Sequence, residues 1–190
     1  MSMPAKALDW TVDMLDAIPA DGNRYEIVDG ELFVTPSPSP PHQRGGFRLA
    51  VLLDAYLRAE PRVAEVLMAP LDARVTNRTS VEPDVLVIPR PVTERPDRTI
   101  ELSHLLLAVE VISPSSARAD RMVKQLLYQR AGVEYWIVDL DAEIVERWLP
   151  SDERPEILRD HITWQPWPGK PPLLVSLPEL FAEARPGAGT

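Results

Sequence analysis

Apolar and polar positions recur along this chain with two periods, and the changes of period mark its elements. Arg24–Val28 and Leu32–Thr35 alternate with period two around Asp29-Gly30, the pattern of a β-hairpin closed by a tight turn. Val63–Met68 and Leu71–Val75 read as short strands separated by Ala69-Pro70. Val85–Ile88, Leu105–Ile112 and Val133–Asp139 are nearly unbroken apolar runs, as expected of central strands. Glu143–Trp148 follows as a partner strand across Asp141-Ala142, and Ile157–Trp164 and Leu173–Val175 add edge strands.

Helical spacing occupies the intervals. Thr11–Ala17 predicts a short helix with Thr11 as its N-cap. Gln43–Ala59 places Phe47, Ala50, Val51, Asp54 and Leu57 at steps of three and four, and Gly45-Gly46 weakens its first turn. Ser113-Pro114-Ser115-Ser116 opens a helix over Arg118–Arg130, which Gly132 closes. The apolar stripe of that helix is Met122, Val123, Leu126, Leu127 and Ala131, with Lys124 and Tyr128 at its border. Pro178–Ala184 predicts a terminal helix. The proline run Pro36–Pro41 predicts a stiff connector outside helix and central strand, and Pro89–Ser103 a loop. With no repeat and no linker, residues 1–184 read as one domain and 185–190 as a disordered tail. The element order predicts a mixed α/β or α+β architecture, a central mixed sheet flanked by helices, preceded by a helix and a hairpin.

Composition narrows the function classes. The chain has 190 residues and no cysteine, which excludes disulfides, thiolate metal sites and cysteine nucleophiles. A net charge of −9 argues against a protein that coats nucleic acid with a basic face. It leaves room for a local cationic cleft. No apolar run approaches the roughly 18 residues of a membrane span, and Met1–Trp10 lacks a signal pattern. A cytoplasmic protein is the expectation.

The candidate chemistry lies in two carboxylates and a lysine. If Val85–Ile88 and Leu105–Ile112 pair antiparallel, Asp84 and Glu110 meet at one end of the sheet. Two carboxylates so placed repel unless a cation lies between them, and with oxygen ligands the expected ion is Mg²⁺ or Mn²⁺. Asp84→Asn should then weaken metal binding at little cost to the fold. The chain has three lysines, Lys6, Lys124 and Lys170, among many arginines, so the mid-chain Lys124 stands out as a compact ammonium. Its stem can pack while its head reaches the sheet end. Asp120 lies one turn earlier on the same side.

Five segments carry a family resemblance. They are Tyr25-Glu26-Ile27-Val28-Asp29-Gly30-Glu31-Leu32, Ser39-Pro40-Pro41-His42-Gln43, Glu82-Pro83-Asp84-Val85, Val109-Glu110-Val111-Ile112-Ser113-Pro114-Ser115 and Gly132-Val133-Glu134-Tyr135-Trp136-Ile137-Val138-Asp139. In this order they resemble the Uma family of bacterial restriction-endonuclease-like proteins, over roughly residues 11–150. The resemblance implies the PD-(D/E)xK nuclease fold and Mg²⁺-dependent hydrolysis of phosphodiester bonds in DNA. It matches Pro83-Asp84 to the PD element and Glu110 to the D/E element. Ile112 stands where the fold's consensus has lysine, and Lys124 is the candidate substitute. Lys124-x-x-x-Tyr128 resembles the Gln-x-x-x-Tyr element of helicase-associated nucleases of this fold. Glu26 resembles the accessory acid of the metal shell, giving Asp84, Glu110 and Glu26 as implied ligands. His42 is a further candidate, as proton shuttle or substrate contact. A catalytically inactive binding protein of the same fold and a phosphodiesterase for smaller substrates are the alternatives. A homodimer is expected, because duplex DNA has two strands and two-fold symmetry is the commonest.

Overall fold

The three apolar runs become the middle of a six-stranded mixed sheet. In the computed structural model, which describes residues 9–19, 21–58, 63–93 and 100–186, the chain begins with α1 (Val12–Asp16), β1 (Arg24–Val28), β2 (Glu31–Thr35) and α2 (Pro40–Arg58). There follow β3 (Ala64–Met68), β4 (Ala73–Thr76), β5 (Thr79–Val81), β6 (Val85–Pro89), α3 (Arg90–Thr93), β7 (Ile100–Glu101), a 3₁₀ turn (Leu102–His104) and β8 (Leu107–Val111). A helical rod comes next, made of α4 (Ala117–Ala119), a π-helical turn (Asp120–Lys124) and α5 (Gln125–Arg130). The chain continues with β9 (Glu134–Asp139), β10 (Ile144–Trp148), β11 (Glu156–Leu158), β12 (His161–Trp164), β13 (Leu173–Ser176) and α6 (Leu177–Ala184). Lys6 and residues 187–190 of the expected tail lie outside the described residues.

The central sheet has the order β11-β10-β9-β8-β6-β3. Its β8–β9 pair is parallel and the others are antiparallel. Its inner strands read as continuous apolar runs because both faces are covered. On one face Val85, Val87, Val109, Val111, Trp136 and Val138 pack under α2 and α6. On the other, Leu86, Ile88, Ala108, Tyr135 and Ile137 pack with α5 and a second sheet, ordered β2-β1-β5-β4-β7. Alternation puts Glu110 on this second face, in step with Ala108.

The hairpin forms as the sequence predicts. Asp29 and Gly30 both hold positive φ, 52° and 85°, the conformation a two-residue turn between twisted strands requires. Gly132 closes the helical rod at φ 74°, with the Val133 N–H donating to the Tyr128 carbonyl.

Several local expectations are overturned. Pro40 and Pro41 lie inside α2 instead of in a connector, since first-turn N–H groups have no partner within the helix and proline's fixed φ suits that turn. The buried face of α2 is Gly45, Gly46, Leu49, Ala50, Leu53 and Leu57, while Phe47 is 62% exposed. The expected Pro89–Ser103 loop contains α3, β7 and the 3₁₀ turn, and Thr79–Val81 adds an unforeseen strand. On the helical rod, Leu127 is buried and Val123 and Ala131 pack against the core, but Met122 is 65% and Leu126 46% exposed. Lys124 and Tyr128 are not at a border; they are buried. The start of the expected tail is tied down, with the Arg185 guanidinium on Asp141. None of the helices among the described residues is long and apolar enough to cross a membrane.

Candidate active site at the end of the central sheet

Asp84 and Glu110 are brought together by register. Val85 pairs with Val109 in the antiparallel β6–β8 ladder, so the residue before β6 faces Glu110 near the end of β8. Both carboxylates are buried. Asp84 Oδ2 accepts the Val111 backbone N–H at 2.8 Å and lies 3.1 Å from His42 Nε2. Asp84 Oδ1 accepts from Arg24 Nη2 at 2.7 Å. His42 reaches this point because α2 starts at Pro40, which sets the imidazole in the first turn.

β1 supplies two more groups at alternate positions, so both project to one face. Arg24 donates to the Glu82 carbonyl at 3.2 Å, and its Nη1 lies 3.9 Å from Glu110 Oε2. Glu26 Oε1 accepts the Glu82 backbone N–H at 2.8 Å. The helical rod supplies the third side. Lys124, 2% exposed, sets its Nζ 2.7 Å from Glu26 Oε2, 3.0 Å from Glu110 Oε1 and 3.1 Å from Asp120 Oδ1. The Tyr128 hydroxyl donates to the same Glu110 oxygen at 3.2 Å, and its ring stacks on Tyr135 with centroids 4.4 Å apart. The π-helical turn carries Asp120 and Lys124, the kind of helix irregularity found at functional sites.

These charges shift one another. Burial alone would lower the Lys124 pKa, but Glu110, Glu26 and Asp120 outweigh it and hold the ammonium charged well above the ordinary lysine value. Burial pushes Glu110 well up; Lys124 offsets part of this, and the carboxylates of Asp120, Asp84 and Glu26 add to it. Asp84 goes the other way. Burial raises it, but hydrogen bonding from His42, the Arg24 charge and the Val111 N–H together hold it below the usual aspartate value. A cleft of about 240 Å³ opens beside the group, lined by Arg24, Glu26, His42, Asp84, Glu110 and Lys124 together with Ser37, Ser39, Ser113 and Ser115.

A family model named Uma2 and described as "Putative restriction endonuclease" matches residues 12–176, a span that contains every group just described. The chain belongs to the Uma2 family. A crystal structure described as "a putative nuclease belonging to DUF820", from Anabaena variabilis, superposes on this Uma2 protein with a TM-score of 0.74. That likeness covers 92% of this chain and 98% of the other at 19% identity, and it shows that the two share a fold. No curated protein matches.

All six candidate residues of this Uma2 protein, Glu26, His42, Asp84, Glu110, Lys124 and Tyr128, converge on one group. Arg24 and Asp120 complete it and were not singled out from the sequence as site residues. The Arg24-x-Glu26 spacing on a strand and the Asp120–Lys124 spacing on a helix were the available signals. Neither says what lies opposite: Arg24 meets a carboxylate 60 residues away.

The donor types suit a hard divalent ion, since they are carboxylates with an imidazole beside them. The arrangement does not fit one as the side chains stand. Among the described residues no three His, Asp or Glu side chains converge as a metal-holding group. Each oxygen of Asp84, Glu110 and Glu26 already faces a protein donor or cation.

Proposed function

We propose that this Uma2 protein is a divalent-metal-dependent endonuclease that hydrolyses phosphodiester bonds in DNA, acting as a two-fold dimer. The observation that carries the reading is the meeting of Asp84, Glu110 and Lys124 at the end of the central sheet, in a chain of a restriction-endonuclease family. Lys124 takes the place that Ile112 leaves without a cation: it reaches Glu110 from the helical rod instead of from β8. Because its ammonium is held charged, its role is to stabilise negative charge developing on a phosphoryl oxygen, not to take a proton from water. His42, on the cleft wall with its Nε2 against Asp84, is placed to pass a proton to the leaving oxygen. The serine hydroxyls and Arg24 along the cleft offer donors to phosphate oxygens. Recognition would be confined to this cleft, since the chain as a whole carries a charge of −9.

The test is nicking of supercoiled plasmid with Mg²⁺ or Mn²⁺ by the parent, Asp84→Asn and Glu110→Gln. Cleavage by the parent and its loss in both variants is the expected result. Cleavage that survives Glu110→Gln would end this assignment of the site. A parent that cleaves only small phosphodiesters would move the reading to a smaller substrate.

One observation favours a second reading. The carboxylate oxygens are saturated by protein partners, as in a nuclease fold that binds without cutting. A gel shift with DNA under conditions where the plasmid stays intact would support that reading.

A further inference from the structure

We propose that Arg24 is the resident cation of the Asp84–Glu110 pair, and that a divalent ion enters this site only by displacing its guanidinium. This rests on the reading of the cluster as a cation site, and it follows from which oxygens Arg24 holds. Asp84 Oδ1 is bound by Arg24 Nη2 at 2.7 Å, and Glu110 Oε2 has Arg24 Nη1 at 3.9 Å. The other oxygen of each carboxylate is engaged elsewhere: Asp84 Oδ2 by the Val111 N–H and His42, Glu110 Oε1 by Lys124 and Tyr128. Moving one side chain therefore releases one oxygen on each of two carboxylates, and both released oxygens face the place the guanidinium has left. The carboxylates stay where they are, because their remaining partners are a strand amide, the His42 imidazole and two groups of the buried helical rod.

Both cations line the cleft, but Arg24 is the freer to move. Three carboxylates hold the Lys124 ammonium at 2.7, 3.0 and 3.1 Å, whereas the Arg24 side chain is 15% exposed and reaches Glu110 only at 3.9 Å. Arg24 also lines a hollow of about 20 Å³ beside Gln43 and Met68, room for about one water, so the cleft of about 240 Å³ is the space into which the guanidinium can turn. The Glu82 carboxylate, 3.5 Å from Arg24 Nε, gives the side chain a partner to keep when it turns away. Two carboxylates this close require a cation between them. The protein supplies one that a doubly charged ion can replace.

A resident competitor weakens the apparent affinity of the incoming ion by the fraction of time the site is open. Titration calorimetry of MnCl₂ into the metal-free full chain should therefore show Arg24→Gln binding at least about tenfold tighter than the parent. Equal or weaker affinity in Arg24→Gln overturns the displacement while leaving the metal reading standing. Absence of Mn²⁺ binding in both proteins overturns both. Arg24→Lys is the second variant should Arg24→Gln fail to fold: lysine lacks the planar fork that reaches Asp84 through Nη2 and Glu110 through Nη1, so it too should bind Mn²⁺ more tightly than the parent. In the unmodified protein, the Arg24 side-chain N–H resonances should shift as Mg²⁺ is added. Resonances that stay fixed while Mg²⁺ binds at the site would refute the proposal.

Discussion

Lys124 and Arg24 both neutralise Glu110, yet the protein holds them in opposite ways. Lys124 comes from the helical rod, has three carboxylates around its ammonium and is 2% exposed. Arg24 comes from the second sheet, spreads over Asp84, Glu82 and Glu110, and borders the cleft. A compact ammonium can serve several carboxylates from one point, and burial makes that point hard to vacate. A guanidinium spans a wider gap with weaker contact at its far end, here 3.9 Å, and stays in reach of solvent. One site thus contains a cation that fixes the architecture and a cation that can be exchanged. The contrast predicts unequal costs of removal.

The largest effect is expected at Lys124. Lys124→Ala leaves Glu26, Glu110 and Asp120 buried without their nearest counter-ion, and breaking a buried pair by removing one partner costs roughly 3–5 kcal/mol. Urea unfolding measures it. The pH dependence has a definite sign. Burial raises the Glu110 pKa above its ordinary 4.5, and removing the ammonium raises it further. The folded variant then holds a proton that the unfolded chain has released, so its stability falls as pH rises above that value. The penalty should be larger at pH 8 than at pH 5. A loss below about 1 kcal/mol would mean that the Lys124 pairs behave as exposed ones, and the contrast would collapse.

Asp84→Asn comes next, at about 1.5–3 kcal/mol, the range of hydrogen bonds made to a charged group. Read from the sequence as one of two repelling carboxylates, Asp84 should be neutralised at little cost. The structure instead gives it Arg24, His42 and a backbone amide. Its depressed pKa means that this stability is present above the unfolded value of 3.8 and is lost as pH falls through the lower folded value. The parent and Asp84→Asn should therefore converge in stability as acid is added. Arg24→Gln should cost less, about 1–2 kcal/mol, because glutamine keeps a donor and the position is partly solvated. Saturating Mn²⁺ should recover that loss in Arg24→Gln, with thermal melts as the readout.

How much of this was legible in the sequence depended on range. The hairpin was legible because Asp29-Gly30 states its own turn, and the Asp84–Glu110 meeting because antiparallel pairing of two apolar runs has one register that buries both. The buried face of α2 was not, since counting large apolar residues passes over Gly45 and Gly46. Both glycines face the core, Gly45 toward Leu140 and Gly46 toward Val111 and Val85. Arg24 was not legible because its role exists only after the second sheet docks against the first. The neighbours of Lys124 were legible in part: reach to the sheet end brings it to Glu110, and i, i+4 spacing brings it to Asp120, whereas Glu26 comes from a strand the spacing does not connect to it.

The smallest predicted effect tests the orientation on which the whole contrast rests. Their apolar character puts Met122 and Leu126 in the core stripe when the helix is read from the sequence. Residues four apart share a helix face, so Asp120, Lys124 and Tyr128 turn toward the sheet together, with Leu127 beside them. Met122 and Leu126 are left 65% and 46% exposed, one turn apart on the outer side. Substitutions on an exposed surface stay within about 0.5 kcal/mol. Met122→Gln and Leu126→Gln, singly or together, should accordingly leave the urea midpoint nearly unchanged. Buried methionine or leucine cut back to a smaller side chain costs about 2–5 kcal/mol, and placing a glutamine amide in the core would cost no less. A loss of that size would put these two residues in the core and Lys124 at the surface. The ammonium would then lie outside the carboxylate cluster, and Arg24 would be left as the cation nearest Glu110.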